Sequence, residues 1–219
     1  MILMRNRFDT QLEHLNESMK EMGILCEDSI GNAIDSLMDG NVKKAQKVLG
    51  NVVSISRKER EIEGICLKLL MQQQPVATDL RVISSALKMV SDLERIGDQS
   101  GDIAEIVVTE SLSAANDILN LQEMANAVSV MVKDAINAFV DKDETLAKSV
   151  IQCDDIVDTC FVEAKKKLIE IFSGKEVNME YALDLLMIAK YFERIGDHCV
   201  NIAQWVLFSI TGVREGNTN

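Results

Sequence analysis

One proline in 219 residues, 4% aromatics and two histidines leave several architectures and chemistries with little to build on. Sandwiches and barrels turn often and draw on aromatic and β-branched pairs, so so few prolines and rings disfavour them. Basic charge is also short: 23 Lys and Arg stand against 35 Asp and Glu, a net charge of −12. A nucleic-acid binder needs a basic face to neutralise phosphates, and an anionic membrane surface attracts the same sign. Cations or basic protein surfaces are the natural complements. Five cysteines (Cys26, Cys66, Cys153, Cys160, Cys199) form no CxxC pair and fall largely among apolar helical positions. They read as buried, reduced thiols in a cytoplasmic protein. No apolar run approaches the roughly 20 residues that cross a bilayer, and the short start before Arg5 is no signal-peptide core, so a soluble chain is expected.

What is abundant is Leu, Ile, Val, Ala and Met at helical spacing. Leu12, Leu15, Met19, Met22, Cys26, Ile30 and Leu37 predict a first helix from Phe8 to about Leu37. Asp39-Gly40-Asn41 breaks it, with Asn41 as the N-cap of a second helix from Val42 to about Met71. Pro75 marks the next boundary, before a third helix that carries Leu80 to Val107. The plan then repeats. A fourth helix covers about Leu119 to Val140, Asp141-Lys142-Asp143 takes the part of Asp39-Gly40-Asn41, and a fifth runs from Glu144 to Phe172. Gly174 is a C′ candidate, and Asn178 caps a sixth helix ending near Ile210. Each half is three helices of about 45 Å joined by short connections, which makes neighbours antiparallel. The expected fold is all-α, two tandem three-helix bundles related by an internal pseudo-twofold repeat, with residues 1–111 in the first and 112–219 in the second.

The repeat is written most plainly in Glu94-Arg95-Ile96-Gly97-Asp98, which returns unchanged as Glu193-Arg194-Ile195-Gly196-Asp197 ninety-nine residues later. Residues four apart share a helix face, so Glu94 stacks with Asp98 and Glu193 with Asp197. The stripe continues through Asp102 and Glu105 in one copy, Asn201 and Gln204 in the other. Like charges at this spacing cost a few tenths of a kcal/mol, a sign that a bound cation would reverse. The fifth helix adds Asp154 and Asp158 at the same spacing, with Asp155 between them. Carboxylates from two helices around one groove make a hard-oxygen site suited to Mg, Mn, Ca or Fe. The second helix has Val52 and Ser56 where Asp154 and Asp158 stand, so the two sites should be unequal. Against this stands the plainer possibility of solvated acidic pairs bridged by Arg95 and Arg194, or a helix-crossing device in which the glycines allow close approach. Neither His14 nor His198 completes the ExxH pair of a di-iron bundle, and no P-loop or GxSxG occurs. His198 reads as a surface or partly buried side chain before it reads as a ligand. The apolar end of the sixth helix, around Trp205 and Phe208, offers core capping, a dimer contact or a docking surface.

These segments resemble the PhoU family of accessory regulators of bacterial phosphate uptake. The resemblance rests on Asp92-Leu93-Glu94-Arg95-Ile96-Gly97-Asp98, on Phe192 to Asp197, on Gln74-Pro75-Val76-Ala77-Thr78-Asp79-Leu80-Arg81, and on Met22-Gly23 followed by Glu27. It implies two three-helix bundles about a pseudo-twofold axis, and acidic motifs that bind metal ions, divalent or trivalent, among Fe, Zn, Mn and Mg. By motif the ligands are Glu94, Asp98, Glu193 and Asp197, with Asp154 and Asp158 from the middle helix and Glu27 as a possible addition. It also implies a negative regulator and adaptor, not an enzyme, that links the ATPase subunit of a phosphate ABC transporter to a phosphate-sensing histidine kinase. A cytoplasmic homodimer that meets the membrane only through protein partners is the expectation. The rival readings are a carboxylate-bridged metalloenzyme and a purely structural helical module.

Overall fold

A computed structural model describes residues 2–72, 76–114, 117, 119–172 and 178–214. Six helices account for nearly all of them: α1 (Ile2–Asp39), α2 (Val42–Gln72), α3 (Ala77–Glu110), α4 (Leu121–Asp141), α5 (Glu144–Phe172) and α6 (Met179–Thr211). No strand occurs among the described residues.

The helix ends follow their capping chemistry. Asn41 Oδ1 accepts from the backbone N–H groups of Lys43 (3.1 Å) and Lys44 (3.4 Å) at the start of α2. Its counterpart Asp143 accepts from Leu146 N–H at 2.9 Å to open α5. The residue before each cap is left-handed, Gly40 at φ 63° and Lys142 at φ 56°. The two breaks are therefore one structure, although only the first has the glycine that such a φ favours. Asn178 caps α6 through the N–H groups of Glu180 and Tyr181. Two boundaries differ from the expected ones. The helix α1 reaches back past Phe8 to Ile2, a stretch with no proline or glycine to stop it. The start of α4 lies at Leu121 because Asp117, four residues earlier, accepts from Leu121 N–H (2.6 Å) and Gln122 N–H (3.2 Å). Pro75 and Gly174, expected as boundary markers, lie outside the described residues.

Within each half every helix touches the other two: α1, α2 and α3 in the first, α4, α5 and α6 in the second. Between the halves α3 packs on α6 and α1 on α4. A twofold operation that exchanges α1 with α4 and α3 with α6 leaves this contact pattern unchanged, which is the internal repeat expressed in space. One apolar core runs through both halves. It includes Leu93 and Phe192, the residues that precede the two acidic motifs, both 0% exposed. The core thereby fixes the rotation of α3 and α6 and sets the acidic stripe at its rim. All five cysteines are free thiols, four buried and Cys153 half-buried.

Candidate functional site

The two copies of the pentapeptide occupy matching places but meet different neighbours. In both, the isoleucine and the glycine are buried while the acids stand at the edge. In the first copy Glu94 is half-buried and faces α2, where Ser56 Oγ donates to Glu94 Oε1 at 3.4 Å. Glu59, one turn further along α2, has its carboxyl raised by burial and then by the charges of Glu94 and Glu63, with a side-chain hydrogen bond to Glu94. Glu59 and Glu63 are not among the expected site residues, because the α2 positions that match Asp154 and Asp158 are Val52 and Ser56. Their four-residue spacing on α2 was the available signal. Asp98 is held by Arg95 at 3.2 Å, an exposed ion pair of the kind worth up to about 1 kcal/mol.

The second copy is more concentrated. Glu193 is mostly buried and bonded by the ammonium of Lys190. Asp154 enters from α5, half-buried, and its carboxyl is pushed up to about 6 by burial, then by the charges of Asp158, Asp197, Glu193 and Asp155. The carboxyl of Asp197, although it reaches solvent, is likewise raised by burial and by Glu193, with Lys190 opposing and Asp158 adding. Asp154, Asp158, Glu193 and Asp197 thus share one patch between α5 and α6. Position 161 explains part of the contrast: Phe161 stands where α2 has Glu59 and carries Lys165 and Lys190 over its ring, 4.5 and 5.3 Å from the centroid.

The donor chemistry fits a hard cation, since carboxylates crowded in a partly desolvated patch are relieved by positive charge. Among the described residues no three His, Cys, Asp or Glu side chains converge closely enough to ligate one ion. Direct ligation by three of the four therefore requires side-chain rotation. His198 acts on the patch only through its charge on Asp197: its Nδ1 lies 2.9 Å from Asp92 Oδ1 on α3, a pair that ties the two halves together. Glu27 lies beside Lys133 and Asp134 of α4, its carboxyl raised mainly by burial.

The repeated glycine works differently in each copy. A Cβ on Gly97 would stand 2.8 Å from Ile55 Cδ1 and 3.0 Å from its Cγ2, against a side chain that is 0% exposed. A Cβ on Gly196 would stand 2.6 Å from Asp154 Oδ1. The first glycine admits a helix, the second a carboxylate. Gly97→Ala is therefore expected to cost about 1–3 kcal/mol by overpacking, even after the better helix propensity of alanine. Gly196→Ala displaces only the end of a half-exposed side chain, and its stability should stay within about 1 kcal/mol of the parent. Urea titrations of both variants check the contrast.

Titration of Asp154 gives a second expectation. Its folded pKa lies above the ordinary value of 3.8, so the folded state holds the proton more tightly. The contribution to stability is full below pH 3.8, falls as pH rises to about 6 and stays low above it. For this half-exposed group the loss should be about 1 kcal/mol. In metal-free protein Asp154→Asn should flatten this part of the pH dependence and raise stability at pH 7, as read from urea midpoints between pH 4 and 7.

Comparison with known proteins agrees with the duplicated plan. The family model "PhoU domain" matches residues 19–107 and again 121–206. Among relatives, a phosphate-specific transport system accessory protein PhoU homolog of Clostridium acetobutylicum is 32% identical over 210 residues, covering 95% of this chain and 96% of its own. A homolog of the same description from Pseudomonas aeruginosa is 33% identical over 208 residues, 94% of this chain and 86% of that one. The crystal structure of PhoU from Pseudomonas aeruginosa superposes with a TM-score of 0.88 at 32% identity, over 94% of this chain and all of that one. The phosphate transport system regulatory protein PhoU from Streptococcus pneumoniae gives 0.86 at 27% identity, over 94% and 98%. With both halves matched, the six-helix plan reproduced and the relatives spanned almost end to end, the chain belongs to the PhoU family.

Proposed function

We propose that this chain is a cytoplasmic accessory protein of phosphate transport that acts by binding, not by catalysis. It restrains uptake as an adaptor between the ATPase subunit of a phosphate ABC transporter and a phosphate-sensing histidine kinase. Its halves, 1–111 and 112–219, are the two metal-bearing units, and it works as a homodimer. The observation that carries the reading is the match of both halves to one family whose relatives are named as accessory or regulatory proteins of phosphate transport. Among the described residues no helix is long and apolar enough to cross a membrane, so contact with a transporter runs through protein surfaces.

The metal part of the proposal rests on the second acidic patch. Asp154 and Glu193 would hold an ion deepest, Asp197 and Asp158 would complete its oxygen shell, and Lys190 would give way to it. Such an ion would supply fixed positive charge that draws α5 and α6 together. Glu94 and Asp98 form the weaker counterpart, with Glu59, one turn beyond Ser56, as the carboxylate that α2 contributes. Co-purification tests the adaptor part. Tagged chain incubated with the ATPase subunit, and separately with the cytoplasmic portion of the kinase, is expected to retain at least one of them. Retention of neither, with Mn2+ present or absent, would refute the adaptor reading.

A further inference from the structure

The outward side of α2 carries a stripe that nothing in the chain covers. Gly50, Val53, Arg57, Arg60, Gly64, Leu67 and Met71 recur at alternating steps of three and four, so they share one face. Val53, Leu67 and Met71 are 59%, 53% and 83% exposed. Arg57 and Arg60 are exposed as well and form no ion pair among the described residues, although the chain carries a net charge of −12. A Cβ on Gly50 or on Gly64 would meet nothing within 4 Å. Packing inside the chain therefore asks for neither glycine, and each weakens the helix relative to alanine. What a glycine on an outward face provides is room for a neighbour to come close.

A surface of the opposite charge lies on the other half. It is a shallow cleft of about 400 Å³ between α4 and α5, lined by Glu123 of α4 and by Asp155, Ile156 and Glu163 of α5. Those three carboxylates are exposed and unpaired among the described residues, and Ile156 is exposed between them. Within one chain the two surfaces never meet, because α2 touches only α1 and α3 while α5 touches only α4 and α6. Taken singly, each is an ordinary solvated face.

Their placement joins them. Lys58, next to Arg57, bonds Glu21 of α1 at 2.7 Å, the cleft takes Glu123 from α4, and α1 packs on α4. Both surfaces thus border the side of the molecule formed by α1 and α4, whose exposed faces carry the apolar side chains Ile24 and Val130. We infer that a second copy of this chain docks on that side about a twofold axis. A twofold contact is reciprocal, so α2 of each copy meets the α4–α5 cleft of the other. Arg57 and Arg60 face Glu123, Asp155 and Glu163, pairs for which the guanidinium fork is well suited, and Ile24 and Val130 lie between the two charged contacts. Docking of α2 on α2 would instead set the arginine pairs against each other, a like-charge cost that selects the crossed pairing. The inference rests on the homodimer proposed above and gives it an interface. None of its residues belongs to the proposed metal sets.

Light scattering coupled to size exclusion of the full chain tests it through a charge exchange. The parent is expected to be a dimer. Arg57→Glu/Arg60→Glu and Glu123→Lys/Glu163→Lys, each alone, should raise the dimer dissociation constant at least tenfold. An equimolar mixture of these two variants should recover the dimer, because every altered surface then meets one of opposite charge, and recovery also shows that both variants are folded. Gly50→Leu/Gly64→Leu fills open space without changing charge and should weaken the dimer several-fold, which carries the test if a charge variant does not fold. A monomeric parent would remove the homodimer together with this interface and leave the metal and adaptor readings standing. A parent dimer that persists in a folded charge variant, or a mixture of folded variants that stays monomeric, would overturn the interface alone.

Discussion

Truncating Phe192 to alanine is expected to cost about 3–5 kcal/mol of folding stability, near the top of the range for single core substitutions. Phe192 is 0% exposed and among the largest fully buried side chains of the molecule. Its removal leaves a ring-sized void in a core that interlocks both halves, where neighbouring helices cannot collapse inward without disturbing other contacts. The residue also precedes Glu193, so its ring helps set the rotation that presents Glu193 and Asp197 to α5. Leu93, its counterpart ahead of Glu94, is equally buried, and Leu93→Ala should cost about 2–5 kcal/mol. Urea or guanidinium titration with an unchanged m-value is the check. A loss below about 1 kcal/mol at Phe192 would mean that α6 is not seated by this side chain.

Much of this fold was legible in the residues. Apolar spacing and three capping side chains, Asn41, Asp143 and Asn178, marked six helices with boundaries mostly within a few residues of the observed ones. The likeness of the two breaks before α2 and α5 was visible as well, whereas the left-handed backbone at Lys142, which no glycine signals, was not. So was the inequality of the two copies, because Val52 and Ser56 could be set against Asp154 and Asp158. What stayed hidden depends on how one helix is rotated against another, which the period of a single helix does not determine. The glycines are the clearest case. Gly97 and Gly196 are identical in their local sequence, yet one receives Ile55 and the other the Asp154 carboxylate. The contact of Glu59 with Glu94 needed the relative rotation of α2 and α3, and the His198–Asp92 pair needed the packing of one half on the other.

The acidic patch between α5 and α6 carries the larger functional consequence. Four carboxylates gather there, and burial penalises the charge of two of them, Asp154 and Asp197, with Lys190 as the cation that lowers Asp197 most. An assembly of this kind is costly while empty of cations and favourable with one, so residues that destabilise the metal-free fold are the ones that should hold the ion. Removing two of the four charges halves that attraction and exchanges two of the eight carboxylate oxygens for amide nitrogens, which do not ligate a hard cation. Asp154→Asn/Asp197→Asn should therefore lose most of the bound metal while folding at least as stably as the parent at pH 7. Glu94→Gln/Asp98→Asn should lose less, since Asp98 is partly neutralised by Arg95 and α2 supplies Ser56 in place of an aspartate. Gly196→Ala should also lower metal content, because its Cβ would stand 2.6 Å from Asp154 Oδ1 and push that carboxylate aside.

The measurement that bears most directly on this account is elemental analysis of the protein purified without chelator and then dialysed against Mn2+, Mg2+, Fe2+ or Zn2+ in turn. The account predicts that the parent retains at least one of these metals, that Asp154→Asn/Asp197→Asn loses most of it, and that Glu94→Gln/Asp98→Asn loses a smaller share. A parent chain that retains none of the four, or an Asp154→Asn/Asp197→Asn variant that retains as much as the parent, would contradict it.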